Sequence, residues 1–154
     1  MSPPADFAHL ETPLDEAPRF HVGAPDGRKD WPETGFKGRQ VAFIALGQRL
    51  APRVMVHHVP NEGKRNPLLA RKTGIVGGVF DNAVTFRAPL TAFVEIKGYA
   101  EKSGKPGKLE KSQIAWGNRM TDLGWPVACF FCPHEAWDWI RSLGFPVAAA
   151  RVAA

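Results

Sequence analysis

The segment Val94-Glu95-Ile96-Lys97 sets a carboxylate and an ammonium two residues apart inside an otherwise apolar stretch. Alternation along a strand puts Glu95 and Lys97 on one face, so two charged groups share a surface although Phe93, Val94 and Ile96 around them are apolar. Residues 79–86 are also strand-like, and Arg87-Ala88-Pro89-Leu90 makes a turn between the two runs, so a β-hairpin brings Asp81 onto the neighbouring strand. Two hard oxygen ligands and one cation on a shared surface suit Mg²⁺ or Mn²⁺ and an anionic substrate, the requirements of phosphodiester hydrolysis. The same residues also fit a plainer description, a cross-strand ion pair on the wet face of a sheet.

A longer pattern surrounds this hairpin. Pro60-Asn61-Glu62-Gly63-Lys64-Arg65, Gly77-Gly78-Val79-Phe80-Asp81, Glu95-Ile96-Lys97 and Gln113 follow one another in that order, and Trp137-Asp138-Trp139-Ile140-Arg141 comes near the end. Over residues 54–143 this order resembles the VRR-NUC (virus-type replication-repair nuclease) family, a branch of the PD-(D/E)XK superfamily. The resemblance implies a restriction-endonuclease-like α/β fold, a central mixed β-sheet flanked by helices. It implies that Asp81, Glu95 and the backbone carbonyl of Ile96 hold Mg²⁺ or Mn²⁺, that Lys97 contacts the scissile phosphate or the attacking water, and that Gln113 is the family's helical glutamine. Glu62 either adds a carboxylate near the metal or is a loop residue paired with Lys64 or Arg65. The implied activity is structure-selective cleavage of branched DNA, such as a Holliday junction, by a homodimer, leaving a 5′-phosphate. Two features depart from the family pattern. Phe80 stands before Asp81 where the family has proline, and residues 36–41 lack the family's first-helix glutamate, with Glu33 lying about a turn earlier.

The elements that must carry these residues are legible in coarse form. Val41, Ile44, Ala45 and Leu50 recur at short spacings over residues 36–50, with Arg39, Gln48 and Arg49 free to meet solvent, which predicts an amphipathic helix stopped before Pro52. Residues 54–59 are β-prone, end at Pro60, and would deliver residues 61–65 into a loop that includes Glu62. Residues 98–108 hold three glycines, a proline and three lysines, and read as a mobile basic loop leaving the Glu95 strand. Over residues 109–123 the stripe Leu109, Trp116, Met120 and Leu123 marks a buried helix face, and Gln113 falls within its arc. A strand over residues 126–131 and a helix begun at Pro133 complete the order α-β-β-β-α-β-α.

With 154 residues there is room for one ordinary domain and an arm. The division expected is a proline-rich extended arm over residues 1–35, a nuclease-like domain over 36–145 and a short tail over 146–154. Hydrophobic residues at 44% and charged residues at 23% fit a packed soluble chain and exclude collagen-like and coiled-coil architectures. No apolar run approaches the about 20 residues that cross a bilayer, and no basic-then-apolar leader opens the chain, so no membrane partner and a cytoplasmic location are expected.

The net charge of +5 is unevenly spread. Residues 1–35 hold 3 basic and 7 acidic side chains, whereas residues 36–119 hold 15 basic and 5 acidic ones. Such a basic middle attracts polyanions, nucleic acid first among them, unless it is simply a solvated surface. Lys64, Arg65, Arg71, Lys72, Lys102, Lys105 and Lys108 are the candidates for backbone-phosphate contacts, which position a duplex without reading its sequence. Cys129 and Cys132 make no disulfide framework and no four-ligand zinc site, and read as small core residues. His57 and His58 alternate across a strand, so at most one faces the site, and neither is given a catalytic role. No phosphate-cradling loop or other signature of an organic cofactor is present.

Overall fold

A computed structural model of the chain describes residues 16–60, 67–72, 74 and 76–149, without the side chains of Pro67, Ala70 and Arg71. The elements are β1 (His21–Val22), α1 (Arg39–Leu50), β2 (Met55–His58), α2 (Pro67–Lys72), β3 (Asn82–Thr85), β4 (Thr91–Ile96), α3 (Lys111–Asp122), β5 (Val127–Phe130) and α4 (Pro133–Ser142). The strands form one mixed sheet in the order β1-β5-β4-β3-β2, in which β3 runs antiparallel to both its neighbours, β2 and β4, and β5 runs parallel to β4. The fold is therefore α/β. Among the described residues no helix is long and apolar enough to cross a membrane.

One face of the sheet buries Val84, Ala92, Val94, Ile96, Ala128 and Phe130 against α1 and α4. The α1 stripe that enters this core is Phe43, Leu46, Gly47 and Leu50, at the i, i+3, i+4, i+7 spacing of a single helix face. This corrects the face predicted from Val41, Ile44 and Ala45, because Val41 and Ala45 are exposed and the helix is turned so that Trp137 of α4 lies on Gly47. Trp137 stacks on Phe43 with centroids 5.0 Å apart and donates its indole N–H to the Phe43 carbonyl at 2.8 Å. A Cβ at Gly47 would sit 2.4 Å from Trp137 Cζ2. Gly47→Ala is therefore expected to destabilise the protein by about 1–3 kcal/mol through overpacking. Helix propensity alone predicts a gain of up to about 1 kcal/mol, so the sign of the change in chemical denaturation decides between the two.

The larger correction concerns Arg39, expected at the surface. It is 0% exposed, and its guanidinium donates to the carbonyls of Trp31 (2.9 Å), Phe131 (2.9 Å) and Arg28 (2.7 Å) and to both oxygens of Asp26 (2.6 and 3.0 Å). Burying an arginine is tolerable only when its charge is paired and its donors are used, and both conditions are met here. Arg39 also holds the Asp26 carboxyl below its ordinary range, against the opposing effect of burial.

Residues 16–35, the described part of the expected arm, thus lie on the domain and contribute to it. Strand β1 pairs in parallel with β5, His21 opposite Ala128 and Val22 opposite Cys129. Phe20 packs edge-on to Phe80 at 5.4 Å and fills the space left by Gly117, where a Cβ would lie 2.4 Å from its ring. Buried Asn118 accepts the Arg19 backbone N–H at 2.7 Å and donates to the Ala17 carbonyl at 3.0 Å. Gly117 and Asn118 are accordingly the buried positions of α3, whereas Leu123, predicted in its inner stripe, is exposed and Leu109, Trp116 and Met120 are half-buried.

Candidate active site

Helix α3 lies toward the other face of the sheet, and that face carries the charged residues. Glu95, in β4 and opposite Cys129 of β5, is 2% exposed. One of its oxygens, Oε2, accepts the backbone N–H of Asp81 at 2.9 Å, so the chain entering β3 is fastened to the β4 carboxylate. The other, Oε1, accepts the Gln113 side-chain amide at 3.1 Å and lies 3.5 Å from the Lys97 ammonium. Asp81, Glu95, Lys97 and Gln113 are therefore brought together, as the hairpin and the α3 periodicity predict. Gln113 meets Glu95 and not Lys97: its Nε2 donates to the carboxylate, while its Oε1 accepts the Glu110 backbone N–H at 2.9 Å in a capping box at the start of α3. The Ile96 side chain points into the opposite core and is buried, leaving its carbonyl as the only group it could offer a metal.

Gly78 is what lets α3 come this close. It has φ of +80°, and a Cβ there would lie 2.1 Å from the Ser112 carbonyl oxygen and 2.7 Å from the Gln113 nitrogen. Gly78 thus turns the chain ahead of Asp81 and seats the first turn of the helix that carries Gln113.

Three further residues support the arrangement, of which the sequence singles out only Glu33. Glu33 precedes α1 but reaches the end of β4, where its Oε1 accepts the Gly98 backbone N–H at 3.0 Å, directly after Lys97. A Cβ at Gly107 would lie 3.7 Å from both Glu33 Oε1 and Lys97 Cδ, so the carboxylate and the lysine stem both pack close to Gly107. Asn82, fully buried beside Asp81, exchanges two hydrogen bonds with Gln40 of α1, at 2.7 and 2.9 Å, and donates to the Val94 carbonyl at 3.2 Å. The only sequence signal for Glu33 was its position about a turn before a helix that lacks an acidic residue. Gln40 and Asn82 gave none.

Electrostatically the site is short of positive charge. Burial, and then the negative charge of Asp81, push the Glu95 carboxyl up from 4.5 to about 7, with Glu33 acting in the same direction and the Asp81 N–H and Lys97 acting against it. The neighbouring Cys129 thiol is pushed up to about 12, by burial first and Glu95 second, which makes it an inert core residue as expected. A cation placed beside these carboxylates would relieve the repulsion that Lys97 relieves only in part. Among the described residues no three His, Cys, Asp or Glu side chains converge closely enough to hold a metal by themselves. A metal bound at Asp81 and Glu95 would complete its shell with backbone oxygen and water, the manner in which Mg²⁺ is commonly held.

The basic candidates divide by place. Lys102, Lys105 and Lys108 are exposed on the turn after β4. That turn, predicted as a mobile loop, is tied across its base: Tyr99 bridges Pro106, the Gly107 N–H donates to the Gly98 carbonyl at 2.7 Å, and the Ala100 N–H donates to the Lys105 carbonyl at 2.9 Å. Lys72 is exposed at the end of α2. Glu62, Lys64 and Arg65 lie outside the described residues, as does the side chain of Arg71. His57 lies opposite Ala83, on the Phe93 side of the sheet that also carries Glu95, and His58 lies opposite Asn82 on the other. No family model matches this chain, and neither a curated protein nor a solved structure matches it.

Proposed function

We propose that the chain is a metal-dependent endonuclease of the PD-(D/E)XK type, close to the VRR-NUC family, that hydrolyses phosphodiester bonds of branched DNA in replication, repair or recombination. The observation that carries this reading is the buried Glu95 carboxylate, which accepts the Asp81 backbone N–H, lies 3.5 Å from the Lys97 ammonium, and is pushed up to about 7 by burial first and by the charge of Asp81 second, with Glu33 adding in the same direction. A static surface ion pair needs one carboxylate per cation. A centre that takes a divalent cation and a phosphate needs the surplus found here.

Asp81, Glu95 and the Ile96 carbonyl would hold the Mg²⁺ or Mn²⁺, which when bound supplies an activated water and neutralises charge on the transferring phosphoryl group. The chain's own residues have separable tasks. Lys97 presents its ammonium to the charge developing on the phosphate. Gln113 fixes the Glu95 carboxylate beside the Lys97 ammonium, and Glu33 fixes the backbone at Gly98, the residue that follows Lys97, before substrate arrives. Lys102, Lys105 and Lys108 meet backbone phosphates, which gives affinity and shape selectivity without a sequence code. The mixed sheet flanked by helices supports the restriction-endonuclease-like reading. A homodimer, which would place two centres across a junction, comes with the family resemblance.

The test is cleavage of labelled Holliday-junction, flap, splayed-arm and linear duplex DNA with Mg²⁺ or Mn²⁺ and with EDTA. Branched DNA should be cut with either metal, and chelation should remove all cleavage. Binding should fall steeply as salt rises. Binding of every DNA without cutting, with either metal present, would favour the alternative of a non-catalytic DNA-binding module. Hydrolysis of a small phosphorylated ligand with little salt dependence would remove nucleic acid as the substrate.

A further inference from the structure

Residues 32–38, between the N-terminal segment and α1, form a closed turn. The Gly38 N–H donates to the Gly35 carbonyl at 3.0 Å, the Arg39 N–H to Pro32 at 2.9 Å, the Gln40 N–H to Glu33 at 3.1 Å, and the Trp31 indole to the Lys37 carbonyl at 3.1 Å. Gly35 takes φ of +89°, and the turn is so tight that a Cβ at Gly38 would lie 2.5 Å from the Thr34 carbonyl oxygen. At the apex of this braced turn Phe36 is 100% exposed, alone in that respect among the described large hydrophobic side chains. Single exposed apolar residues are ordinary. This one stands three residues from Glu33, hence within about 10 Å of chain from it, and Glu33 is the carboxylate that anchors the backbone beside Lys97.

The surroundings select the chemistry of a partner. Lys37 adjoins Phe36 in sequence, and Lys29 approaches the turn after β4, its Cδ 3.9 Å from where a Cβ of Gly104 would be. With Lys102, Lys105 and Lys108 on that turn, these exposed lysines flank the segment that Glu33 ties to Gly98. An exposed aromatic ring carried on a braced turn with lysines near it matches what single-stranded nucleic acid requires, a stacking surface for a base beside cations for its phosphates.

Resting on the nuclease reading, we infer that Phe36 is a stacking platform for an unpaired nucleobase next to the scissile phosphate. The preferred substrate class is then DNA with unpaired bases at the branch, such as a splayed arm or a flap, over a fully paired duplex. A second copy of this chain is the other partner a bare ring could meet, and the like charge of these lysines disfavours it.

The experiment compares wild type, Phe36→Ala and Phe36→Tyr on splayed-arm and linear duplex DNA, with 2-aminopurine at the unpaired position beside the branch. Phe36→Ala should weaken binding and cleavage of the splayed arm about 10-fold, leave linear duplex within about twofold and lose a change in 2-aminopurine fluorescence that wild type produces. Phe36→Tyr should retain both. Equal activity of Phe36→Ala and wild type on the splayed arm would overturn the inference while leaving the nuclease reading standing. So would an equal loss on both DNAs, or a change in oligomeric state on sedimentation. A wild-type protein that cuts neither DNA overturns both.

Discussion

Lys97→Ala protein should bind branched DNA as wild type does, yet cleave it about 10²–10³-fold more slowly, the loss that follows removal of one preorganised group stabilising transition-state charge. Lys97 is half-buried, its ammonium is 3.5 Å from Glu95 Oε1, and its stem packs beside Gly107. It is therefore aimed by its neighbours, whereas the lysines of the following turn stand in solvent. Truncating one of those, Lys105 for example, should weaken binding by the loss of the proposed phosphate contact while leaving the single-turnover rate nearly unchanged. A single-turnover assay with a parallel binding isotherm separates the two outcomes. Lys97→Arg is not a conservative rescue, because the planar guanidinium does not fit the position of a point charge 3.5 Å from one carboxylate oxygen.

The second large effect concerns Glu95 and is expected in the absence of metal. Its carboxyl titrates at about 7 in the folded protein against 4.5 ordinarily, so the folded state binds a proton more tightly than the unfolded state does. A carboxyl raised in this way stabilises the fold fully below pH 4.5, and that contribution is lost as pH rises to about 7. In EDTA, wild type should therefore lose about 2–3 kcal/mol relative to Glu95→Gln between pH 5 and pH 8. Taking the difference between the two proteins cancels the other titrating groups. Asp26, whose carboxyl is lowered, contributes with the opposite sign and only in acid below that window. Adding Mn²⁺ at pH 8 should stabilise wild type and not Glu95→Gln, while the variant should have lost cleavage. Urea denaturation at the two pH values checks this, and parallel stability curves would show that Glu95 is not held against its charge.

What the sequence made legible follows from the range of the interactions involved. Glu95, Lys97 and Asp81 were readable because a hairpin is local: alternation sets the face, and the register pairs Asn82 with Val94, one residue from the two carboxylates. Gln113 was readable from helical periodicity, and its contact with Glu95 agrees with that reading. Glu33 stood out only as the acidic residue about a turn before the first helix, and its bond to Gly98 was not readable, because 65 residues separate the two and its segment has no periodic pattern. Arg39 failed for a related reason. Hydropathy assigns arginine to water, and only the convergence of Asp26, three carbonyls and the rings of Trp31 and Tyr99 makes its burial tolerable. Strand β1, two residues long, is too short to show alternation, and its partner β5 lies a hundred residues on. The burial of Gly117 and Asn118 was hidden likewise, since the Phe20 segment that covers them belongs to the stretch read as an arm.

In the proposed reaction, Asp81 and Glu95 together form the metal and phosphate centre. The most direct measurement is the anomalous-scattering position of Mn²⁺ in crystals of the protein grown or soaked with the metal. A bound ion at about 2–2.5 Å from oxygens of both Asp81 and Glu95, with the Lys97 ammonium facing its open side, is the predicted result. Mn²⁺ found more than about 4 Å from both carboxylates would contradict the account.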